Sequence, residues 1–158
     1  MNRNRIRAAA VVLVAAGAGV AIAAAAPAST RPAGQTISFT ERQISDRNFN
    51  LGSAHGIAVG AVELSANSLM QGRRQIGRDG GSCTVTRLSA QSADDLCLDI
   101  LALPGGQIDL AGLVPSTPQG PGPFDVAVTG GTGRYQDARG YATVVPSQNP
   151  KVTVHLTS

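Results

Sequence analysis

Apolar and polar residues alternate in short runs along much of the chain. Between Phe124 and Val128 every second residue is apolar, and the same alternation returns between Val152 and Leu156. A period of two places the apolar side chains on one face of a β-strand. From residue 37 onward no run has the length and the 3.6-residue period of a long helix. The pattern therefore predicts an all-β domain.

Clusters of glycine, proline and small polar residues divide this pattern into strands. The predicted strands are residues 37–44, 56–67, 83–88, 96–103, 107–114, 124–129, 138–145 and 151–157, with a further short strand near 75–78. Residues 45–55, 68–82 and 115–123 are predicted to connect them. The close spacing favours an eight-stranded antiparallel, calycin-like β-barrel, because an open sheet would leave two edges to protect.

The segment 124–141 carries a glycine cluster that has two interpretations. Residues 128–133 look like the strand-to-helix turn of a dinucleotide-binding fold, which needs a following helix and a second parallel strand. Gly140 would break such a helix, and only 25 residues follow Gly133, fewer than the roughly 30 of a βαβ unit. The favoured interpretation is structural: Gly130, Gly131 and Gly133 permit a bulged turn between antiparallel strands.

The N-terminus resembles an export signal. Arg3, Arg5 and Arg7 precede a small-apolar run at 8–26, and an A-x-A site follows at 26–28. An uncleaved membrane anchor is the competing interpretation, but alanine and glycine insert weakly into a bilayer. We therefore predict a secretory signal peptide at 1–28, a short leader at 29–36, a barrel domain at 37–158, and a secreted product with no stable membrane anchor after cleavage.

Cleavage changes the charge of the protein. The chain has 13 basic and 10 acidic residues, and three of the basic residues lie in the predicted signal. The mature chain is then close to neutral, so the basic character of the precursor is no argument for a nucleic-acid partner. Aromatic residues make up 3% of the chain and offer few surfaces on which bases could stack. We expect no nucleic-acid binding.

The two cysteines, Cys83 and Cys97, both lie in the predicted mature chain. An even pair in an exported protein indicates a disulfide. A hairpin that turns at Ala90 would place the two opposite each other, and the closed loop of about 15 residues would contribute about 3 kcal/mol. A free, reactive thiol at Cys83 is the alternative.

Several motifs between residues 67 and 141 resemble those of a known protein family. The run Gly130–Gly133, an aromatic residue at Tyr135 and the ARGY sequence at 138–141 resemble the plant dirigent proteins, which share an eight-stranded barrel with the allene oxide cyclases. Weaker matches in the same order lie at 67–72, 76–80 and 106–112. The resemblance spans residues 37–158, and the paired cysteines with a secretory signal look like bacterial relatives of this barrel superfamily.

The resemblance implies a barrel with a largely apolar pocket, a small apolar ligand, no cofactor and assembly as a homotrimer. Dirigent proteins steer radical coupling, and the cyclases close a ring derived from an epoxide. Both hold a reactive species in one conformation.

Individual residues can be carried over from the cyclases at a few positions. Asn67 falls where they use a pocket asparagine, Glu41 lies near their pocket glutamate, and Cys83 lies at their pocket cysteine. Arg78 matches a dirigent-like element, either as a cation at the barrel mouth or as a solvated loop residue. Val114 occupies the expected position of the cyclases' pocket tyrosine, which argues against true allene oxide cyclase activity.

No metal site or hydrolase site is predicted. His55 and His155 are far apart in the sequence and share no ligand spacing, and no nucleophile elbow is present.

Three functions fit the sequence. The barrel is a cofactor-free cyclase or isomerase that uses Asn67 and Glu41, a binder that holds a small apolar ligand without turnover, or an interaction module with a filled interior. One scaffold hosts many functions, so neither catalysis nor the identity of the ligand follows from the sequence.

Overall fold

The computed structural model describes residues 34–49 and 57–157. It contains eight strands and one short 3₁₀ turn. The elements are β1 (Gln35–Phe49), β2 (Val62–Gln71), β3 (Arg74–Leu88), β4 (Ala93–Leu103), β5 (Gly106–Ser116), β6 (Phe124–Gly131), the turn Gly133–Tyr135, β7 (Arg139–Val145) and β8 (Lys151–Thr157). The predicted signal peptide at 1–28 lies outside the described residues. No helix within them is long and apolar enough to cross a membrane.

The strands form one closed antiparallel barrel in chain order. Each strand pairs with its neighbours in sequence, and β1 pairs with β8 from Gln35↔Leu156 to Thr40↔Lys151. Closure leaves no unpaired sheet edge to protect. The predicted fold class, an eight-stranded antiparallel β-barrel, is confirmed.

β1 and β3 are longer than predicted, and β2 is shifted along the chain. Residues 45–49, predicted as loop, continue β1, and β2 begins at Val62 rather than at residue 56. The predicted long connection at 68–82 is instead the end of β2, a tight turn at Gly72 (φ 59°) and the start of β3. Here the inward positions carry polar side chains and glycine, so the apolar alternation that marks a strand in sequence is absent.

The two ends of the barrel interior differ in packing. Fully buried Leu69, Leu101, Ile108, Val152 and Val154 pack together with buried Tyr135. This end holds the turns at 72–73 and 104–105 and the glycine loop after β6. At the other end lie residues 89–92, 117–123 and 146–150, which connect the strands there. The packed end supplies most of the apolar burial that stabilises the fold.

The glycine cluster after β6 is the corner of the barrel. β6 and β7 are antiparallel neighbours that pair from Phe124↔Val144 to Val128↔Gly140. Residues 132–138 connect them and contain one three-residue 3₁₀ turn and no longer helix. The register between β5 and β6 shifts after Asp109↔Gly130 to Leu110↔Val128, so Thr129 is the extra residue of a bulge. A dinucleotide loop needs a helix at this point, and that interpretation is excluded.

The glycine loop docks against the turn between β4 and β5. Thr132 N donates to Gln107 O at 2.9 Å, and Arg134 N donates to Gly105 O at 2.9 Å. This contact brings two backbones so close that side chains cannot fit. A Cβ on Gly131 would overlap the carbonyl oxygen of Gln107, and one on Gly133 (φ 60°) would overlap that of Gly105. Gly130 differs, because the nearest atom to its Cβ would be Asp109 Oδ2 at 3.7 Å.

Cys83 and Cys97 form the disulfide expected from the sequence. They are directly opposed in the β3–β4 pairing, with their Cα atoms 4.0 Å apart. The hairpin turns at residues 89–92, as the position of Ala90 indicated. The described residues include no free cysteine, so the alternative of a reactive thiol at Cys83 is wrong for the oxidised protein.

We expect Gly131 and Gly130 of the glycine loop to differ sharply in their tolerance of alanine. Gly131→Ala should lower the free energy of unfolding by about 3 kcal/mol, because the methyl group meets backbone that cannot move independently. Gly130→Ala is the matched control and should change it by less than about 1 kcal/mol. Urea unfolding of both variants measures the difference. Equal effects would contradict the docking of the two loops as the reason for the glycines.

The disulfide should contribute about 3 kcal/mol, since it closes a loop between residues 14 apart in sequence. Reduction of the wild-type protein, or the double change Cys83→Ala with Cys97→Ala, should lower the free energy of unfolding by that amount. Reductant should cause no further loss in the double variant, which controls for its other effects. A wild-type protein whose stability is insensitive to reductant would contradict this contribution.

Candidate functional site

The barrel encloses a cavity of about 350 Å³ that reaches the end opposite the glycine loop. Its mouth is lined by residues of two connections, among them Pro121 from 117–123 and Ser147 and Gln148 from 146–150. These three residues are exposed, so the cavity opens to solvent on this side. A volume of this size is typical of pockets that bind small molecules.

The cavity has two chemically different walls. Strands β1 to β4 contribute Glu41, Asp46, Glu63, Asn67 and Asp99, whereas strands β5 to β8 contribute Leu110, Phe124, Val126, Val144 and Val152. The resemblance led us to expect a largely apolar pocket. Most of the lining surface is apolar, as expected, but the side formed by β1 to β4 also carries carboxyl groups. A ligand in this cavity would therefore contact carboxylates on one side and hydrocarbon on the other.

Three carboxylates from three strands converge where the cavity meets the packed end. One oxygen from each of Glu41, Asp79 and Asp99 lies within 4.8 Å of the others. Asp79 is 5% exposed. Its Oδ2 atom and the Oδ1 atom of Asp99 are buried and accept no hydrogen bond within the described part of the protein. We refer to Glu41, Asp79 and Asp99 as the carboxylate cluster.

Local features of β2 and β3 position this cluster. Asn67 lies opposite Asp79 in the β2–β3 register. It donates to Asp79 Oδ1 both from its backbone N at 3.0 Å and from its side-chain Nδ2 at 2.9 Å. Gly81 lies opposite Asp99, and a Cβ there would come within 2.9 Å of Asp99 Oδ1. The glycine thus leaves room for the Asp99 carboxylate.

Burial and mutual repulsion raise the pKa values of the cluster. Burial, with the charges of Asp79 and Asp99, raises the pKa of Glu41 from its usual 4.5 to about 8. Burial, with the charge of Asp79, raises the pKa of Asp99 to about 7. Burial also raises the pKa of Asp79, but the two hydrogen bonds from Asn67 oppose this. Near pH 7 the cluster therefore holds both protonated and ionised carboxyls.

A second acidic group lies nearer the mouth. Burial and the charges of Asp46 and Asp95 raise the pKa of Glu63. Asp95 lies in β4, where its Oδ2 atom accepts a hydrogen bond from Ser116 Oγ at 3.1 Å. Its neighbour Asp94 does point outward, because it pairs with Arg87 at the surface.

The structure brings together two of the three predicted ligand-binding residues. Glu41 and Asn67 both line the cavity. Arg78 is exposed on β3, opposite Ser68 and Ala102, and is not among the residues that line the cavity. It is a strand residue rather than the loop residue considered above. Binding by any of the three stays a prediction.

Other residues considered from the sequence lie as follows. Cys83 and Cys97 line the cavity as a disulfide. Val114 is buried in the core. His155 stacks on Tyr141, with ring centroids 4.6 Å apart, and His55 lies outside the described residues.

The sequence analysis did not identify Asp79 or Asp99 as site residues, and it predicted no metal site. The carboxylate cluster that these residues form with Glu41 is a group of carboxylates that could hold a cation. The missing signal was spacing: Asp79, Gly81 and Cys83 recur at every second position, as do Asp95, Cys97 and Asp99. Once the disulfide defines the inward face of both strands, these aspartates must share it.

Comparison with known proteins gives a family match over nearly all of the described chain. The family described as allene oxide cyclase barrel like domain matches residues 33–156. No curated protein sequence matches the chain significantly.

Several solved structures share the fold. A pyocyanin demethylase superposes with a TM-score of 0.71 at 28% identity, covering 78% of this chain and 100% of its own. The exo-specific intermolecular Diels–Alderase AbnU gives 0.60 at 16% identity, covering 79% and 98%. The pterocarpan synthase dirigent protein GePTS1 gives 0.56 at 14% identity, covering 78% and 82%. At the identities of the last two, the similarity shows the fold alone.

The raised pKa of Glu41 makes stability depend on pH with a definite sign. Between pH 4.5 and about 8 the folded protein retains a proton that the unfolded chain has released, so stability should fall as the pH rises through this window. Below pH 4.5 the contribution is fully present. We expect a loss of a few kcal/mol, since one unit of pKa shift corresponds to about 1.4 kcal/mol.

Thermal unfolding from pH 4.5 to 9 measures this loss. Glu41→Gln, which cannot ionise, should flatten much of the curve. Asp125→Asn, which changes an exposed carboxyl on β6, should not. A wild-type protein that gains stability as the pH rises from 5 to 8 would contradict the buried, raised state of these carboxyls.

Proposed function

The chain belongs to the family of allene oxide cyclase-like barrels, and we propose that its cavity binds a small organic metabolite and transfers a proton to or from it. The observation that carries the proposal is the carboxylate cluster, of which Glu41 and Asp99 line the same cavity as the apolar wall. Carboxyls that are buried together reduce the stability of a fold, so their position inside the barrel favours a role in chemistry over a role in folding.

Proton transfer at neutral pH fits the properties of the cluster. With a pKa of about 8, Glu41 is mostly protonated at pH 7 and can donate. With a pKa of about 7, Asp99 is partly ionised and can accept. Neighbouring carboxyls whose pKa values differ commonly divide the acid and base roles. Asn67 acts through Asp79: its two hydrogen bonds favour the ionised form of that carboxylate.

The class of reaction follows from the two walls. The apolar side chains of β5 to β8 would hold a hydrocarbon body in one conformation. The acidic wall would protonate one atom of the ligand and remove a proton from another. These steps suffice for an isomerisation or an intramolecular cyclisation, the first function that the sequence suggested.

A binder without turnover is the second candidate, since the cavity alone supports it. Under that candidate the carboxyls would only donate and accept hydrogen bonds. The filled interaction module is disfavoured by a cavity of about 350 Å³.

We also propose that the mature chain is exported and self-associates. The disulfide fits an oxidising compartment, as the predicted signal at 1–28 requires. The outer face of β2 to β5 exposes Leu64, Leu96, Leu98 and Leu113, each between 42% and 58%, an apolar surface suited to contact between copies of the chain.

Native mass spectrometry tests binding. The full-length chain is expressed with export, and the oxidised product is incubated with a metabolite extract of its host or with pyocyanin, for which one relative is named. We expect an adduct of about a few hundred daltons, as suits a cavity of this size. The same spectra report signal cleavage and the number of copies.

Two variants separate binding from proton transfer. Val144→Trp fills the cavity and should abolish the adduct. Val145→Trp, on the next and exposed residue of β7, is its matched control and should keep it. Glu41→Gln should keep the adduct but slow the conversion of the bound metabolite by about 100-fold or more. An adduct that survives Val144→Trp would contradict binding in the barrel, and conversion unaffected by Glu41→Gln would support the binder instead.

A further inference from the structure

The interior of the barrel carries an unbalanced negative charge. Four carboxylates line the cavity (Glu41, Asp46, Glu63 and Asp99), and none of the residues that line it within the described chain is lysine, arginine or histidine. Asp79 and Asp95 add two further carboxyl groups behind this wall. Arg87 pairs at the surface with Asp94. Among the described residues that line the cavity, these four acids therefore have no basic counterpart.

The deepest carboxylate points to a ligand rather than to a structural role. Asp79 is 5% exposed, and its Oδ1 atom accepts both hydrogen bonds from Asn67. These hydrogen bonds favour its ionised form and oppose the effect of burial, which raises its pKa, while its Oδ2 atom accepts no hydrogen bond from the described residues. A buried charge that is stabilised on one oxygen and unpaired on the other is costly unless an opposite charge binds beside it.

The opposite wall defines the rest of the ligand. Phe124, Val126 and Val152 face the acidic side across the cavity. A bare metal ion would bind the carboxylates, but it would fill little of the 350 Å³ cavity and would not contact the apolar wall. A molecule with a positive head and a hydrocarbon or aromatic body would match both walls.

We propose that the barrel binds an organic cation, a quaternary or heteroaromatic nitrogen carried on an apolar body. The charged nitrogen lies at the carboxylate cluster, and the body lies along β5 to β8. This inference rests on the proposed function, that the cavity binds a small molecule, and adds the class of that molecule.

A pair of probes with the same shape isolates the charge. N-methylquinolinium is a permanent cation, and 1-methylnaphthalene is its uncharged isostere. Fluorescence titration of the exported, oxidised protein at pH 8.5 should show at least tenfold tighter binding of the cation. Asp99→Asn and, separately, Asp79→Asn should remove most of that preference without weakening the isostere. Asp125→Asn on the outer surface is the matched control and should leave it unchanged.

Protonation should reduce the preference for the cation. Lowering the pH from 8.5 to 6 adds protons to Glu41 and Asp99, whose pKa values are about 8 and about 7. The other ionisable groups that face them are also acidic: Asp79 on β3, Glu63 on β2, Asp46 on β1 and Asp95 on β4. The affinity for the cation should therefore fall with pH, whereas that for 1-methylnaphthalene should not.

Equal binding of the two probes at pH 8.5 overturns the cation inference and leaves the proposed function intact. Absence of binding by both probes, together with absence of an adduct from the metabolite extract, overturns the proposed function as well. Calcium or manganese ions that displace N-methylquinolinium at micromolar concentration, and no longer bind after Asp79→Asn, would identify the cluster as a metal site and overturn the inference.

Discussion

Pairing of β1 with β8 is the constraint on which the rest of this molecule depends. Without that pairing the eight strands would form an open sheet, and its inward face would have no interior to enclose. Closure forces inward side chains from every strand into one volume, so residues far apart in sequence, such as Glu41 and Asp99, become neighbours. The same pairing satisfies the backbone of both strands and leaves no edge for another chain to join.

The two ends of the barrel interior contribute differently to the stability of the fold. The packed end buries Leu69, Leu101 and Ile108 completely and provides the hydrophobic stabilisation. The acidic end opposes folding, because carboxyls there are removed from water next to one another. The disulfide joins β3 to β4 beside that acidic region. The disulfide therefore stabilises a region of the barrel in which the acidic side chains contribute little to the stability of the fold.

The sequence predicted the architecture well where apolar alternation was clean, as in β5 to β8. It failed in β2 and β3, where inward Asn67, Asp79 and Gly81 replace apolar residues and the strands looked like loop. The same polar residues and glycine form part of the candidate site, so the residues that made these strands hard to recognise in the sequence also shape the cavity. Glu41 and Asn67 were identified through family resemblance. Asp79 and Asp99 could be found only by combining their period-two spacing from the cysteines with the disulfide that defines the inward face of β3 and β4.

The docking of the glycine loop on the β4–β5 turn has a kinetic consequence. Together with the packed side chains it closes one end of the barrel, so a molecule in the cavity enters and leaves through the same mouth. Arrival and departure then exclude each other, and every occupant must leave before the next can enter. In a cavity with this geometry, a molecule would pass Pro121, Ser147 and Gln148 both on entering and on leaving.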